Sequence, residues 1–325
     1  MTKIVNSFSI IAAILTILLC AGAAQAQPWR TWVSGAGSDT GLCIRTAPCK
    51  TFGYAYGQTA TGGEIDVLDA GDFGPLTIQH ALTIASDSGT GGVLNPGGSA
   101  LTIEAGLTDA VILRGLEING LGDSVAGVLF ETGGSLLVDH CKIYGFHGGG
   151  GTTAGIAFLP SGASKLWVTD SVISNSGSSV TGNVLIQPTG GGSVAAQFER
   201  VQIVGAVGNG VRVDVTQNGG GGATELELHD VVVDGSGETG IVGVSTSGGA
   251  AVTILADTVT SSNNIGYGVR SYGGATTIYL SRSTVTGNNI GLGSTSGGVL
   301  ASYSDNRIRG NLNSDGAPTT TVPLN

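Results

Sequence analysis

The stretch LLVDHCKIYGF, residues 136–146, recurs in altered form along the chain. It returns as LWVTDSVISNSG (166–177), AAQFERVQIVG (195–205), LELHDVVVDGSG (226–237), TILADTVTSSNN (253–264), IYLSRSTVTGNN (278–289) and SYSDNRIRGN (302–311). Each copy runs apolar, any, apolar, any, polar, then two or three residues, an apolar residue, and Gly or Asn. The central polar position falls at His140, Asp170, Arg200, Asp230, Asp257, Arg282 and Asp305, and RGLEING puts Gly115 in the same place. The steps between these positions are 25, 30, 30, 30, 27, 25 and 23 residues. A fixed period of this size is the mark of a stacked repeat.

Before each copy stands another short apolar stretch followed by a glycine turn: GVLFE, GIAFLP, NVLIQP, GVRVDV, GIVGV and GVRSY. Each repeat therefore predicts about three strands of four to six residues with alternating apolar positions, and no helical pattern separates them. Hairpin-built sandwiches carry no such period. A coil of three strands stacked on the next at about 4.8 Å accounts for the period, the turns and the missing helices together. Composition agrees. Of 325 residues, 58 are glycine, which a helical bundle does not tolerate. The glycines lack the strict triplet spacing of collagen, and 41% apolar residues argue against disorder. The fold class is all-β, a single-stranded parallel β-helix with a short N-terminal cap helix.

This pattern resembles the right-handed parallel β-helix of the pectate-lyase-like superfamily, over most of the chain from about Gly63 onward. WVSGAGSDTGLCIRTAPCKTFGYAYGQ resembles the N-terminal cap segment of secreted bacterial members, and GGEIDVLDAGDFGPLTI resembles their first coil. The resemblance implies a right-handed solenoid over 63–325, a cap over 27–62, and polysaccharide as the ligand class. Open rod ends expose unpaired strand backbone. Thr51–Gln58 is expected to lay Phe52, Ala55 and Tyr56 over one end as a short helix. TTTVPL, flanked by Pro318 and ending near Pro323, is expected to close the other.

Residues 1–26 read as a secretory leader: Lys3, an apolar run from Ile10 to Cys20, and Ala24-Gln25-Ala26 as a small-x-small cleavage site. The run is too short to span a bilayer, which makes the product periplasmic or extracellular, with no membrane insertion. In an oxidising compartment Cys43 and Cys49 are expected to form a disulfide worth roughly 2–3 kcal/mol by chain entropy. No second Cys or His pair completes a metal site with them. Cys141 falls on an inward position, where a thiol is buried and inert. The net charge of −10 makes nucleic acid and anionic membranes poor partners.

Alternation assigns the faces. On the middle strand Leu136, Leu166, Leu226, Val138, Val168, Phe198 and Leu228 point in. Leu137, Trp167, Gln197 and Glu227 point out. The coil at Val252–Leu255 departs from this parity, as a bulge would make it. The register residues are expected to stack at a corner, where Asp side chains accept from otherwise unpaired backbone N–H groups and arginines relieve acid–acid repulsion. Asn263, Asn264, Asn288, Asn289 and Asn311 suggest a ladder at the next corner. On the first strand Val128, Ile156, Val184, Val211, Ile241 and Val269 point in. Leu129, Ala157, Leu185, Arg212, Asp214, Val242, Arg270 and Tyr272 are expected to face out.

Arg212, Asp214, Arg270 and Tyr272 are the candidate substrate-binding residues. Guanidinium groups bind carboxylates bidentately, and a tyrosine packs on a sugar face. The alternative is a solvated Arg–Asp–Arg cluster. Catalytic motifs that the resemblance would bring are missing. Val138-Asp139-His140 is similar to part of the Val-Trp-Ile-Asp-His stretch of pectate lyases, whose Asp binds calcium, but Leu137 replaces the tryptophan and the downstream arginine-x-proline-x-x-arginine segment is absent. The Asn-Thr-Asp, Asp-Asp and Gly-His-Gly segments of polygalacturonases are absent too, with Phe146-His147-Gly148 only a partial echo, and His147 reads as a turn residue. Asp66, Asp69 and Asp72 read as turn chemistry, and Trp29 and Trp32 as packing against the cap. No metal site or cofactor is expected, calcium entering only for a lyase. The expectation is an exported polysaccharide-binding protein, with a lyase or hydrolase of a uronate polymer, or a structural rod, as alternatives. A groove holding Arg212 and a carboxylate on the first-strand face separates an enzyme from a rod.

Overall fold

The computed structural model describes residues 27–87, 91–219 and 221–323; the expected leader lies outside the described residues. The chain winds through three parallel sheets, and each sheet runs in chain order along the rod. Among the described residues the first sheet has nine strands, the middle sheet twelve and the third ten, each strand parallel to its neighbour one coil away. The all-β parallel solenoid with three strands per coil is the observed fold.

Inward side chains stack like on like. Leu136, Leu166, Ala196, Leu226, Ile254 and Ile278 are in register across the middle sheet and buried. Val128, Ile156, Val184, Val211, Ile241 and Val269 do the same on the first sheet, each with no exposed surface. A second inward column on that sheet passes from Phe130 and Phe158, with ring centroids 4.3 Å apart, through Ile186 and Val213 to Gly243 and Ser271. The core thus tapers along the rod as the coils shorten from 30 to 23 residues. Glycine is also required where the first strand begins. A β-carbon at Gly155, Gly210 or Gly268 would lie 2.5, 2.2 or 2.4 Å from a side-chain methyl of Ile173, Val233 or Val285 on the third sheet.

The corner between middle and third strands is a single residue in the left-handed region: Gly115, His140, Asp170, Arg200, Asp230 and Arg282. In two coils the register moves by one. Thr258 and Ser304, not Asp257 and Asp305, carry the positive φ. Asp257 instead pairs with His229 on the middle sheet, and the coil at Val252 stays in unbroken register, so no bulge lies there. A register shift occurs instead between Phe130 and Thr132. An aspartate side chain meets the corner N–H at Arg282, which donates to the Asp305 carboxylate. At other corners backbone carbonyls do so. His140, Asp170, Arg200 and Asp230 donate to the carbonyls of Thr169, Glu199, His229 and Asp257 on the next coil, because the left-handed turn aims the N–H along the rod.

At the next corner a ladder forms, buried at Asn264 and Asn288. Asn264 Nδ2 donates to Asn288 Oδ1 (2.7 Å), Asn288 Nδ2 to Asn311 Oδ1 (2.9 Å), and Asn311 Nδ2 to Asp315 Oδ1 (2.9 Å). Each acceptor also takes the backbone N–H of the asparagine that donates to it. Asn263 and Asn289 stand outside this ladder, bonded to Asp234 and Asn313.

The cap helix spans Phe52–Gln58, and the Thr51 hydroxyl accepts from the Tyr54 N–H as its N-cap (3.2 Å). Phe52 and Ala55 are fully buried, with Phe52 5.2 Å from the Phe73 ring. Tyr56 is half-buried and its hydroxyl accepts from Gln79 N–H. Arg30–Val33, just ahead of the helix, forms the first strand of the middle sheet beside Glu64–Val67. Cys43 and Cys49 are bonded, with Cα atoms 4.9 Å apart. At the far end Thr320–Thr321 adds a strand beside Ala301 and Ser302, so the tail prolongs the sheet.

Candidate functional site

Three first-sheet strands build the site: Asn209–Asp214, Ile241–Val244 and Tyr267–Tyr272. Their register sets Arg212, Val242 and Arg270 in one outward column, and Asp214, Val244 and Tyr272 in the next. Arg212 and Arg270 are therefore two strand spacings apart, about 10 Å along the rod. The short valines between them leave a groove of about 430 Å³, lined by Arg212, Arg270, Tyr272, Glu238, Ser179 and Asn209 among others.

The two arginines differ in their electrostatics. Asp214 is buried beneath the groove and holds Arg212, whose Nε and Nη2 donate to Oδ2 at 3.1 and 2.6 Å. The other oxygen of Asp214 accepts from the Thr216 N–H and hydroxyl at 3.0 and 2.6 Å. Asp214 is thus fully engaged, and its charge is met by Arg212. Arg270 has no carboxylate partner among the described residues. Its guanidinium lies between two rings, 5.0 Å from Tyr267 and 5.4 Å from Tyr272, and Nη2 donates to Thr295 Oγ1 at 3.3 Å. Its Nε is buried with no hydrogen-bond partner among the described residues. Tyr272 is 38% exposed at the groove wall.

The structure thus brings Arg212, Arg270 and Tyr272 to one groove with Asp214 directly below. Sequence reading missed Tyr267 and Asn209, which open the strands that carry Arg270 and Arg212, and Glu238, Ser179 and Thr239, which come from the turns before the first strands. Strand parity carries no signal for turn residues. It also misassigned exposure. Ala157, Leu185 and Val242 face outward yet are buried. Ala126, Ala154, Ala157 and Leu185 pack with Leu129 and Leu159 into a small second apolar cluster on the outer face, since apolar side chains there gain by excluding water just as the core does.

The aspartates of the first coil serve structure. Asp66 pairs with Arg30. Asp69 accepts from the Ser34 hydroxyl (2.7 Å) and Gly35 N–H (2.6 Å), which lowers its pKa. Asp72 accepts from Gly74 and Leu94 N–H. Asp139, His140 and Asp170 bring ligand-type atoms within 4.8 Å of one another. Asp139, however, already meets Arg114 at 3.2 Å, and Asp170 takes both Nε (2.7 Å) and Nη2 (2.8 Å) of Arg200. That arginine depresses the Asp170 pKa. Carboxylates already neutralised by arginine make poor ligands for a cation. His147 Nε2 bonds the Asn175 carbonyl in a turn. Trp29 is 66% exposed, and Trp32 lies under Arg30. Burial pushes the Cys141 thiol up to about 12, which keeps it protonated and inert. No helix among the described residues is long and apolar enough to cross a membrane.

No family model and no curated protein matches the chain. Among solved structures, the crystal structure of pectate lyase Pel9A aligns with 86% of this chain and 69% of its own, at 12% identity and a TM-score of 0.49.

Proposed function

We propose that this chain is an exported protein that binds a carboxylated polysaccharide in the Arg212–Arg270 groove. The observation that carries the reading is Arg270. It is a half-buried guanidinium with no anionic partner among the described residues, held between two tyrosine rings on a groove wall. Leaving a cation part-desolvated and unpaired costs free energy that a ligand carboxylate would return, and a guanidinium takes a carboxylate bidentately. Tyr272 offers its ring to the sugar, while Ser179 and Glu238 are exposed at the groove to meet hydroxyls. Arg212 is already neutralised, so it serves as a hydrogen-bond donor from its free edge. Isothermal titration calorimetry with oligogalacturonate tests this. Arg270→Ala is expected to weaken binding tenfold or more with unchanged thermal unfolding. The absence of binding to any acidic glycan by the unaltered protein sinks the reading.

A second reading, cleavage of such a polymer, is favoured by one observation. The face is grooved rather than flat, and Glu238 lines the groove together with Arg212. A carboxylate within reach of bound sugar supplies a proton-transfer group. Absorbance at 235 nm on a panel of polyuronates, with and without calcium, checks for elimination. A flat trace under every condition, with no release of reducing ends, leaves binding alone.

A further inference from the structure

The outer face of the middle sheet carries a second surface, with more carboxylates than cations. Trp167, Gln197, Glu227, Leu255 and Tyr279 stand in one outward column in unbroken register. Beside it runs a column of Lys165, Ala195, Glu225 and Thr253. The small side chains at Ala195 and Thr253 leave depressions of about 340, 230 and 230 Å³. All three share Glu225, and they run into one another along the rod. Trp167 is 36% exposed, with Lys165 Nζ 5.9 Å from its ring centroid. At the other end Tyr279 and Tyr303 lie 6.5 Å apart. Gln197, Glu225 and Glu227 are exposed and make no side-chain hydrogen bond or ion pair among the described residues.

We propose that this trough binds a neutral polysaccharide chain laid along the rod axis. Its aromatic ends, Trp167 and Tyr279, are four strand spacings apart, about 19 Å. One strand spacing is close to the length of one sugar in an extended chain, so successive sugars meet successive coils. The rings take the apolar faces of the terminal sugars. Between them Gln197, Glu225 and Glu227 accept from hydroxyls, an exchange that leaves no polar group unmatched. Charge selects the occupant. Two free carboxylates against one lysine repel a polyuronate. They also oppose a second copy of the chain, which would set the same acidic patch on itself across a two-fold axis. The backbone here is paired on both sides, so no added strand can dock.

The test uses the full chain and calorimetry with neutral β-1,4-linked gluco-, xylo- and manno-hexasaccharides, with oligogalacturonate as comparator. At least one neutral ligand is expected to bind. Trp167→Ala and Tyr279→Ala should each weaken it tenfold or more, Trp167→Phe should retain most of the affinity, and Arg270→Ala should leave it unchanged. Equal melting temperatures show that the variants are folded. The proposal is overturned by no neutral binding, by binding indifferent to both alanine variants, or by self-association in sedimentation that Trp167→Ala abolishes. Loss of oligogalacturonate binding on Arg270→Ala reports on the groove alone.

Discussion

Arg270 is held in place by a residue one coil away that has no side chain. Gly293 is its register partner, and a β-carbon there would lie 2.2 and 2.4 Å from Tyr267 Cε1 and Cδ1. The missing methyl is the space in which the Tyr267 ring lies against Arg270. Gly293→Ala is therefore expected to expel the ring and remove one of the two faces flanking the guanidinium. A cation–π contact at a partly exposed site is worth about 0.5–1 kcal/mol, so oligogalacturonate affinity should fall roughly two- to fivefold. The test is calorimetry on a variant whose far-ultraviolet circular dichroism is unchanged. Unaltered affinity would mean that Tyr267 plays no part in orienting Arg270. Arg212 illustrates the contrary case. Its partner Asp214 is buried, so Arg212→Ala would strand a carboxylate in the fold, and a loss of binding there would mix stability with recognition.

The coil is the unit at which sequence and structure correspond. Its corner residues can be read off because a one-residue left-handed turn recurs at nearly fixed spacing, and the asparagine ladder because stacked amides recur at the following turn. The ladder should carry stability out of proportion to its size. Asn288 is fully buried, gives hydrogens to Ser261, Thr286 and Asn311, and accepts two from Asn264. Asn288→Ala leaves several of these groups unmatched, at about 1–3 kcal/mol each, and should cost about 2–4 kcal/mol in denaturant unfolding. Asn289→Ala, outside the ladder, should cost under about 1 kcal/mol; similar losses for both would refute the ladder's role. Strand parity placed Arg212, Arg270 and Tyr272 on one face, because side chains alternate with period two. It did not reveal Glu238 or Ser179, which lie in turns. Turn length varies from coil to coil, so no period tells which turn residues lean over the groove. The same variation let Asp257 pass for a corner residue when Thr258 holds that position. Parity likewise gives direction but not burial, which is why the outer cluster around Ala157 and Leu185 was invisible.

For the whole molecule, the proposed binding of an acidic polymer by an acidic rod sets short range against long range. The net charge is −10, and Glu238 stands in the groove itself. A short uronate ligand senses mainly Arg270 at contact distance. A long one also runs past the carboxylates of the surrounding rod. Salt acts on these terms unequally, since the Debye length falls from about 30 Å at 0.01 M to about 10 Å at 0.1 M and about 3 Å at 1 M. Going from 0.01 to 0.1 M should remove most of the long-range repulsion while the half-buried Arg270 contact is only weakly screened. Affinity for a long polygalacturonate should therefore rise over that interval and fall again toward 1 M, whereas affinity for a di- or trisaccharide should fall throughout. A neutral oligosaccharide in the Trp167 trough has no net charge for salt to screen, and its affinity should stay within about twofold across the series. Binding titrations of the three ligand classes at fixed pH measure all of this on one protein. A monotonic loss of polymer affinity with salt would mean that attraction at the groove arginines outweighs the repulsion from the surrounding carboxylates.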